Sequence, residues 1–131
     1  GDGNAAKLER KTGGFFIEPT IFEGVRNDMK IAQEEIFGPV LSAITVKGFD
    51  EAMAVANDTI YGLAGAVWTG SVRNAHRAAK ALRAGVVWVN CFDRGSMAVP
   101  FGGFKQSGFG RDKSFHAMDK YTDLKAVWFA H

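Results

Sequence analysis

Three stretches of this sequence hold side chains that could do chemistry. The first is Trp88-Val89-Asn90-Cys91-Phe92-Asp93, which carries the one cysteine of the chain. A nucleophilic cysteine needs a base, a cation or a helix N-terminus to draw off its proton. No histidine lies near Cys91, and the residue falls at the end of an apolar run that reads as a strand. Free cysteine is among the most buried residue types, so residue type alone favours a structural thiol over a nucleophile.

The second stretch is Gly102-Gly103-Phe104-Lys105-Gln106-Ser107-Gly108-Phe109-Gly110-Arg111. It has the look of a phosphate cradle but fails both templates. In a P-loop the lysine follows a glycine, and Lys105 does not stand in that frame. The dinucleotide fingerprint needs a glycine three residues after Gly110, and that position is Lys113. A tight loop packed against backbone is the better reading. The third stretch is Gln33-Glu34-Glu35-Ile36-Phe37-Gly38-Pro39-Val40. Adjacent carboxylates point in different directions, so Glu34 and Glu35 do not make a shared-proton dyad. Gly38-Pro39 ends the segment and holds Phe37 beside one carboxylate. A fixed aromatic next to a carboxylate can hold a flat ring and a ribose diol. A core Phe with a surface Glu is the plainer alternative on this stretch alone.

The elements that must position these residues follow from periodicity. Gly14 to Phe22 reads as an edge strand or two short strands, with Pro19 interrupting the ladder. Val40 to Val46 reads as a strand. Phe49, Ala52, Met53 and Ala56 recur at helical spacing, with Asp50 and Glu51 in the first turn and a stop before Tyr61-Gly62. Ala64 to Thr69 is a strand. Ser71 is placed to cap a helix with Val72, Ala75, Ala79 and Leu82 on its buried face and Arg73, Arg77, Lys80 and Arg83 on the other. Gly85 stands where a glycine ending that helix belongs. Val86 to Cys91 is continuously apolar, as in a strand covered on both faces. Asp112 is expected to cap a short helix that buries Phe115, Met118 and Tyr121, and Tyr121 to Phe129 reads as a closing strand. The alternation predicts an α/β fold with parallel pairing and one structural unit.

Composition excludes several classes. The chain has 131 residues, 47% hydrophobic and 23% charged, with a net charge of +2. That balance is ordinary for a globular domain. The scattered basic residues argue against nucleic acid, and no apolar run reaches membrane-spanning length. The polar opening GDGNAAKLER does not read as a secretory signal. The lone cysteine fits a reducing, cytoplasmic setting. The three histidines are far apart, so no metal site is expected.

Taken together, Glu34–Val40 (EEIFGPV), Tyr61–Leu63 (YGL), Ala84–Asn90 (AGVVWVN), Pro100–Arg111 (PFGGFKQSGFGR) and Tyr121–Val127 (YTDLKAV) resemble the C-terminal part of the NAD(P)-dependent aldehyde dehydrogenases. They stand in family order from Gly14 onward. The resemblance implies a C-terminal segment of the catalytic domain over 1–120 and an oligomerisation strand over 121–131. It implies that Glu35 holds the nicotinamide ribose hydroxyls of NAD or NADP and that Phe37 packs on the nicotinamide. Phe101 matches an aromatic of the aldehyde tunnel. Asp93, with Arg94, Gly95 and Ser96, falls in the loop at the tunnel mouth. Asp112 stands where the family usually has a glutamate credited with proton relay. Thr122 to Phe129 would pair with a neighbouring subunit, making a homo-oligomer. Cys91 matches a non-catalytic cysteine; the family's nucleophile and general base lie in stretches not present here, so the isolated chain is expected to be inactive. The finer resemblance is to the branch acting on γ-aminobutyraldehyde and its γ-glutamyl relatives in polyamine breakdown, and Asp93 suits a cationic substrate.

Rival readings are a self-standing binding or assembly module that pairs through its terminal strand, and an RNA-binding α/β domain. The second rests on a pI near 8.8 and lacks the aromatic-basic pattern of such domains.

Overall fold

The computed structural model describes residues 13–131. The polar opening GDGNAAKLER therefore lies outside the described residues. Where one structural unit was expected, the chain divides into two compact units, parting between Gly48 and Phe49.

In the first unit, strand β1 (Thr20–Phe22) pairs in parallel with β2 (Val40–Ser42), with Thr20 opposite Val40 and Phe22 opposite Ser42. Both are shorter than predicted. Pro19 sits just before β1, where its missing N–H costs no ladder bond. Pro39 enters β2 and contributes its carbonyl instead, accepting from the Thr20 N–H at 2.9 Å. Between the strands lies a one-turn helix, α1 (Lys30–Gln33), that periodicity did not show. Side chains hold it: Gln33 Nε2 donates to the Asn27 carbonyl at 2.7 Å, and Ser42 Oγ donates to the Ile31 carbonyl at 3.0 Å. Among the described residues of this unit, Val25 is the buried apolar one.

The second unit opens with helix α2 (Phe49–Asn57), which has Asp50 and Glu51 in its first turn as predicted. Strand β3 (Ala64–Val67), helix α3 (Val72–Ala81) and strand β4 (Val86–Val89) follow. β3 and β4 are parallel, Ala64 opposite Val86 through Val67 opposite Val89. Ser71 caps α3 by accepting from the Asn74 N–H at 3.3 Å. The buried face of α3 differs from the expected one. Ala78 is fully buried, whereas Val72 and Ala79 are exposed.

Gly85 does not terminate α3, which already ends at Leu82, its N–H bonded to the Ala78 carbonyl. Gly85 is required for close approach: a Cβ there would fall on the Gly102 carbonyl oxygen. Asp112 is likewise not a cap. Ser114 caps the 3-10 turn Phe115–Lys120, accepting from the His116 N–H at 3.3 Å. The residues expected on its buried side, Phe115, Met118 and Tyr121, are exposed. Tyr121 to Phe129 forms no strand within this chain and lies exposed.

Candidate functional site

The glycine-rich loop is built to dock on backbone, not to hold phosphate. Several of its amides are taken: Phe104 N–H donates to the Gly62 carbonyl at 2.8 Å, and Gln106 N–H to the Ile60 carbonyl at 3.0 Å. Ser107 Oγ accepts from the Gly62 N–H at 2.9 Å. Lys105 Nζ is turned to carbonyls, those of Asn57 at 2.7 Å and Thr59 at 3.0 Å, at the C-terminal end of α2. Asn57 in turn ties the end of α3, donating to the Ala81 carbonyl at 2.8 Å and accepting from the Arg83 N–H at 2.8 Å. Tyr61–Leu63 and Pro100–Arg111 therefore meet because Gly62 is the point on which the loop seats. A Cβ at Gly62 would stand 2.7 Å from the Arg83 carbonyl oxygen, so no larger residue fits there.

That seating carries the loop residues to one small cavity. Phe101 and Asp112 form an antiparallel bridge, each N–H bonded to the other's carbonyl at 2.8 and 2.7 Å. The indole Nε1–H of Trp88 donates to the Arg94 carbonyl at 2.7 Å, and the Trp88 and Phe92 rings pack at 5.0 Å. The resulting cavity of about 60 Å³ is lined by Trp88, Asp93, Arg94, Phe101 and Lys113 among others. Asp93 and Phe101, predicted from sequence, are thus brought together. Asp112 is not part of that lining; its carboxylate pairs with Lys120.

Glu35 and Phe37 lie in the first unit and share a shallow depression of about 360 Å³ with Glu34, Gly38 and Val40. Phe37 is 89% exposed and sits at φ 52, in the left-handed region. A bulky L-residue held there carries roughly 1–3 kcal/mol of strain. The Gly38-Pro39 turn behind it is closed by the Val40 N–H bonding the Gly38 carbonyl at 2.7 Å. The ring is therefore presented, not buried. A carboxylate there can accept hydrogen bonds from a diol while the bare aromatic face takes a flat ring. In the same unit the Arg26 guanidinium, bidentate on Asp28 at 3.0 and 3.2 Å, holds the Asp28 carboxyl below its ordinary range.

Cys91 is half-buried, and among the described residues no hydrogen bond or ion pair reaches its thiol. No group of three or more metal-ligating side chains occurs among the described residues. No described helix is long and apolar enough to cross a membrane.

The sequence pattern of the Aldehyde dehydrogenase family matches residues 2–127. The chain belongs to the aldehyde dehydrogenase family. It is 53% identical over 116 residues to the aminoacetaldehyde dehydrogenase of Pseudomonas aeruginosa, covering 88% of this chain and 23% of that protein. Among solved structures, a variant of the P. syringae indole-3-acetaldehyde dehydrogenase in complex with NAD+ and IAA is 64% identical, with a TM-score of 0.86 over 92% of this chain and 24% of that one. The γ-glutamyl-γ-aminobutyraldehyde dehydrogenase of Burkholderia cenocepacia is 62% identical, with a TM-score of 0.83 over 88% of this chain and 24% of that one. The chain thus spans about a quarter of the length of these aldehyde dehydrogenases.

Some residues of this aldehyde dehydrogenase segment escaped the sequence reading. Asn90 and Lys105 act through partners distant in sequence, Thr69 at a separation of 21 and Asn57 at 48. Local pattern holds no signal for such contacts.

Proposed function

We propose that this chain is the segment of an NAD(P)-dependent aldehyde dehydrogenase that positions the nicotinamide and shapes the entrance for the aldehyde. The observation that carries this reading is Phe37, an exposed aromatic on left-handed backbone sharing one depression with Glu35. A core phenylalanine would be buried on relaxed backbone. Glu35 accepts the ribose hydroxyls, and the Phe37 ring limits where the nicotinamide can lie. The cofactor, NAD or NADP, supplies a hydride acceptor when bound. The contribution of this chain is positional, since hydride transfer demands near-contact between donor and acceptor carbons.

On the substrate side, Phe101 gives an apolar wall and Asp93 a charge. The names of two relatives, an aminoacetaldehyde and a γ-glutamyl-γ-aminobutyraldehyde dehydrogenase, support an ω-amino aldehyde as substrate, as in polyamine breakdown. Asp112 is a relay only if it exchanges its Lys120 partner during turnover. The isolated chain is inactive in this reading, because Cys91 matches a non-catalytic cysteine and the family's nucleophile and general base lie in other stretches. Thr122 to Phe129 serves as an oligomerisation strand in a cytoplasmic homo-oligomer; the exposure of Leu124, Trp128 and Phe129 supports this. The rival assembly-module reading uses the same strand but gives Phe37 and Glu35 no task.

The test is Phe37→Ala in the full-length enzyme. It should lower kcat by about tenfold or more through lost positioning, with Cys91 untouched. Unchanged kinetics with both NAD and NADP would remove the assignment.

A further inference from the structure

We propose that Lys105 is a positioning residue: its ammonium, held by the carbonyl end of α2, fixes where the Phe101 ring stands. The proposal rests on the aldehyde dehydrogenase reading, with Phe101 as an apolar wall for the aldehyde, and adds a residue that acts through that wall.

A helix leaves its last carbonyls without partners and its C-terminus partly negative. Helix α2 holds no basic residue in its last turn. Its final residue, Asn57, spends its carboxamide on the end of α3, donating to the Ala81 carbonyl and accepting from the Arg83 N–H. The cation comes instead from the glycine-rich loop. Lys105 Nζ donates to the Asn57 carbonyl at 2.7 Å and to the Thr59 carbonyl at 3.0 Å, across 48 and 46 residues of chain. A bond from a charged donor is stronger than a neutral one, and Lys105 is half-buried, which lessens screening by solvent.

The backbone shows that this side chain has a task. Loop 101–112 is left-handed at Lys105 (φ 52), Gly108 (φ 106) and Gly110 (φ 79). Glycine meets that demand without strain, and lysine does not. A lysine where glycine would be easier is explained by what its ammonium reaches.

The loop passes the anchor on to Phe101. Gly103 is buried against Ser107, where a Cβ would stand 2.6 Å from the Ser107 carbonyl oxygen. Arg111 Nη1 donates to the carbonyls of Gly103 at 3.1 Å and Gly110 at 2.6 Å, drawing the two sides of the loop together. The Phe101–Asp112 bridge closes the neck. A loop tied at its neck and packed inside moves as one body, so its seat on residues 57–62 sets the place of the ring. Without the ammonium that seat keeps only neutral bonds, at Ile60 and Gly62. A shift of about 1 Å in a group that positions substrate can cost up to about a hundredfold in rate.

The experiment uses the full-length enzyme, saturated with NAD or NADP, and two aldehydes. Acetaldehyde has only a methyl beyond its carbonyl; hexanal has a tail that needs an apolar wall. Lys105→Met keeps the apolar stem and removes the charge. It should raise KM for hexanal about tenfold, with KM for acetaldehyde and both kcat values within about twofold of wild type. Lys105→Arg, still cationic, should hold the hexanal KM within about threefold. Lys105→Gly relaxes the backbone but should raise the hexanal KM as Lys105→Met does. A role in folding alone lowers the amount of active enzyme, so kcat falls for both aldehydes and neither KM moves; that result would overturn the proposal. A hexanal KM within about twofold of wild type in Lys105→Met would do the same, as would a wild type that accepts acetaldehyde and rejects hexanal. A wild-type enzyme that oxidises neither aldehyde would instead overturn the aldehyde dehydrogenase reading itself.

Discussion

Asn90 uses both ends of its carboxamide on one residue. It accepts from the Thr69 N–H at 2.8 Å and donates to the Thr69 carbonyl at 3.0 Å, closing the β3–β4 ladder beyond its last pair. Its own backbone is left-handed at φ 53, a conformation asparagine tolerates better than most residues. The chain turns there into the Cys91–Asp93 segment that feeds the cavity. Asn90→Ala removes both bonds and leaves a Cβ-bearing residue in strained backbone, so the enzyme should lose about 1–3 kcal/mol of stability, read from the denaturant midpoint at constant m. A loss under about 0.5 kcal/mol would mean the clamp is ornamental. Residue type flagged Cys91 in this stretch, because sulfur is what carries chemistry. The structural clamp lies one residue earlier, and nothing local marks it, since its partner Thr69 stands 21 residues away, just past the end of β3.

Elements were more legible than single residues. The β3–α3–β4 order and its parallel pairing could be read because apolar runs and helical spacing are local signals. Ser71 was legible for the same reason, as a serine just before a helical pattern. Ser71→Ala should cost about 1 kcal/mol, and Ser71→Gly only a few tenths, because glycine also tolerates the cap position. Equal losses for the two variants, measured by thermal unfolding, would show that the hydroxyl is not the capping group. The face of α3 was not legible. Ala75, Ala78 and Ala79 have the same side chain, so periodicity cannot say which one is buried; Ala78 is, with no exposed surface. Gly85 was misjudged on similar grounds. A glycine shortly after a helix reads as a terminator, yet here the demand comes from Gly102 on a distant loop.

At the scale of the molecule, the two-stranded parallel sheets are the decisive feature. Parallel pairs bury both faces in folded proteins, and a lone two-stranded pair is marginal in water. The four residues of β4 are only half-buried, and large apolar side chains such as Trp68, Phe109 and Trp128 stand open. Apolar surface on that scale marks contact with other protein. The terminal segment is the extreme case: Leu124, Val127, Trp128 and Phe129 are all exposed on backbone that forms no strand in this chain. In the proposed oligomerisation role, an apolar segment of this kind would gain ladder bonds and burial together by adding to the sheet of a second copy. Removing residues 122–131 from the full-length enzyme should therefore shift its mass in light scattering to a smaller assembly, while leaving each subunit folded by circular dichroism. Charged substitution of the same face, as in Trp128→Glu with Leu124→Lys, should do the same without shortening the chain. An unchanged assembly in both variants would place the subunit contact elsewhere and leave the terminal segment to pack within its own subunit.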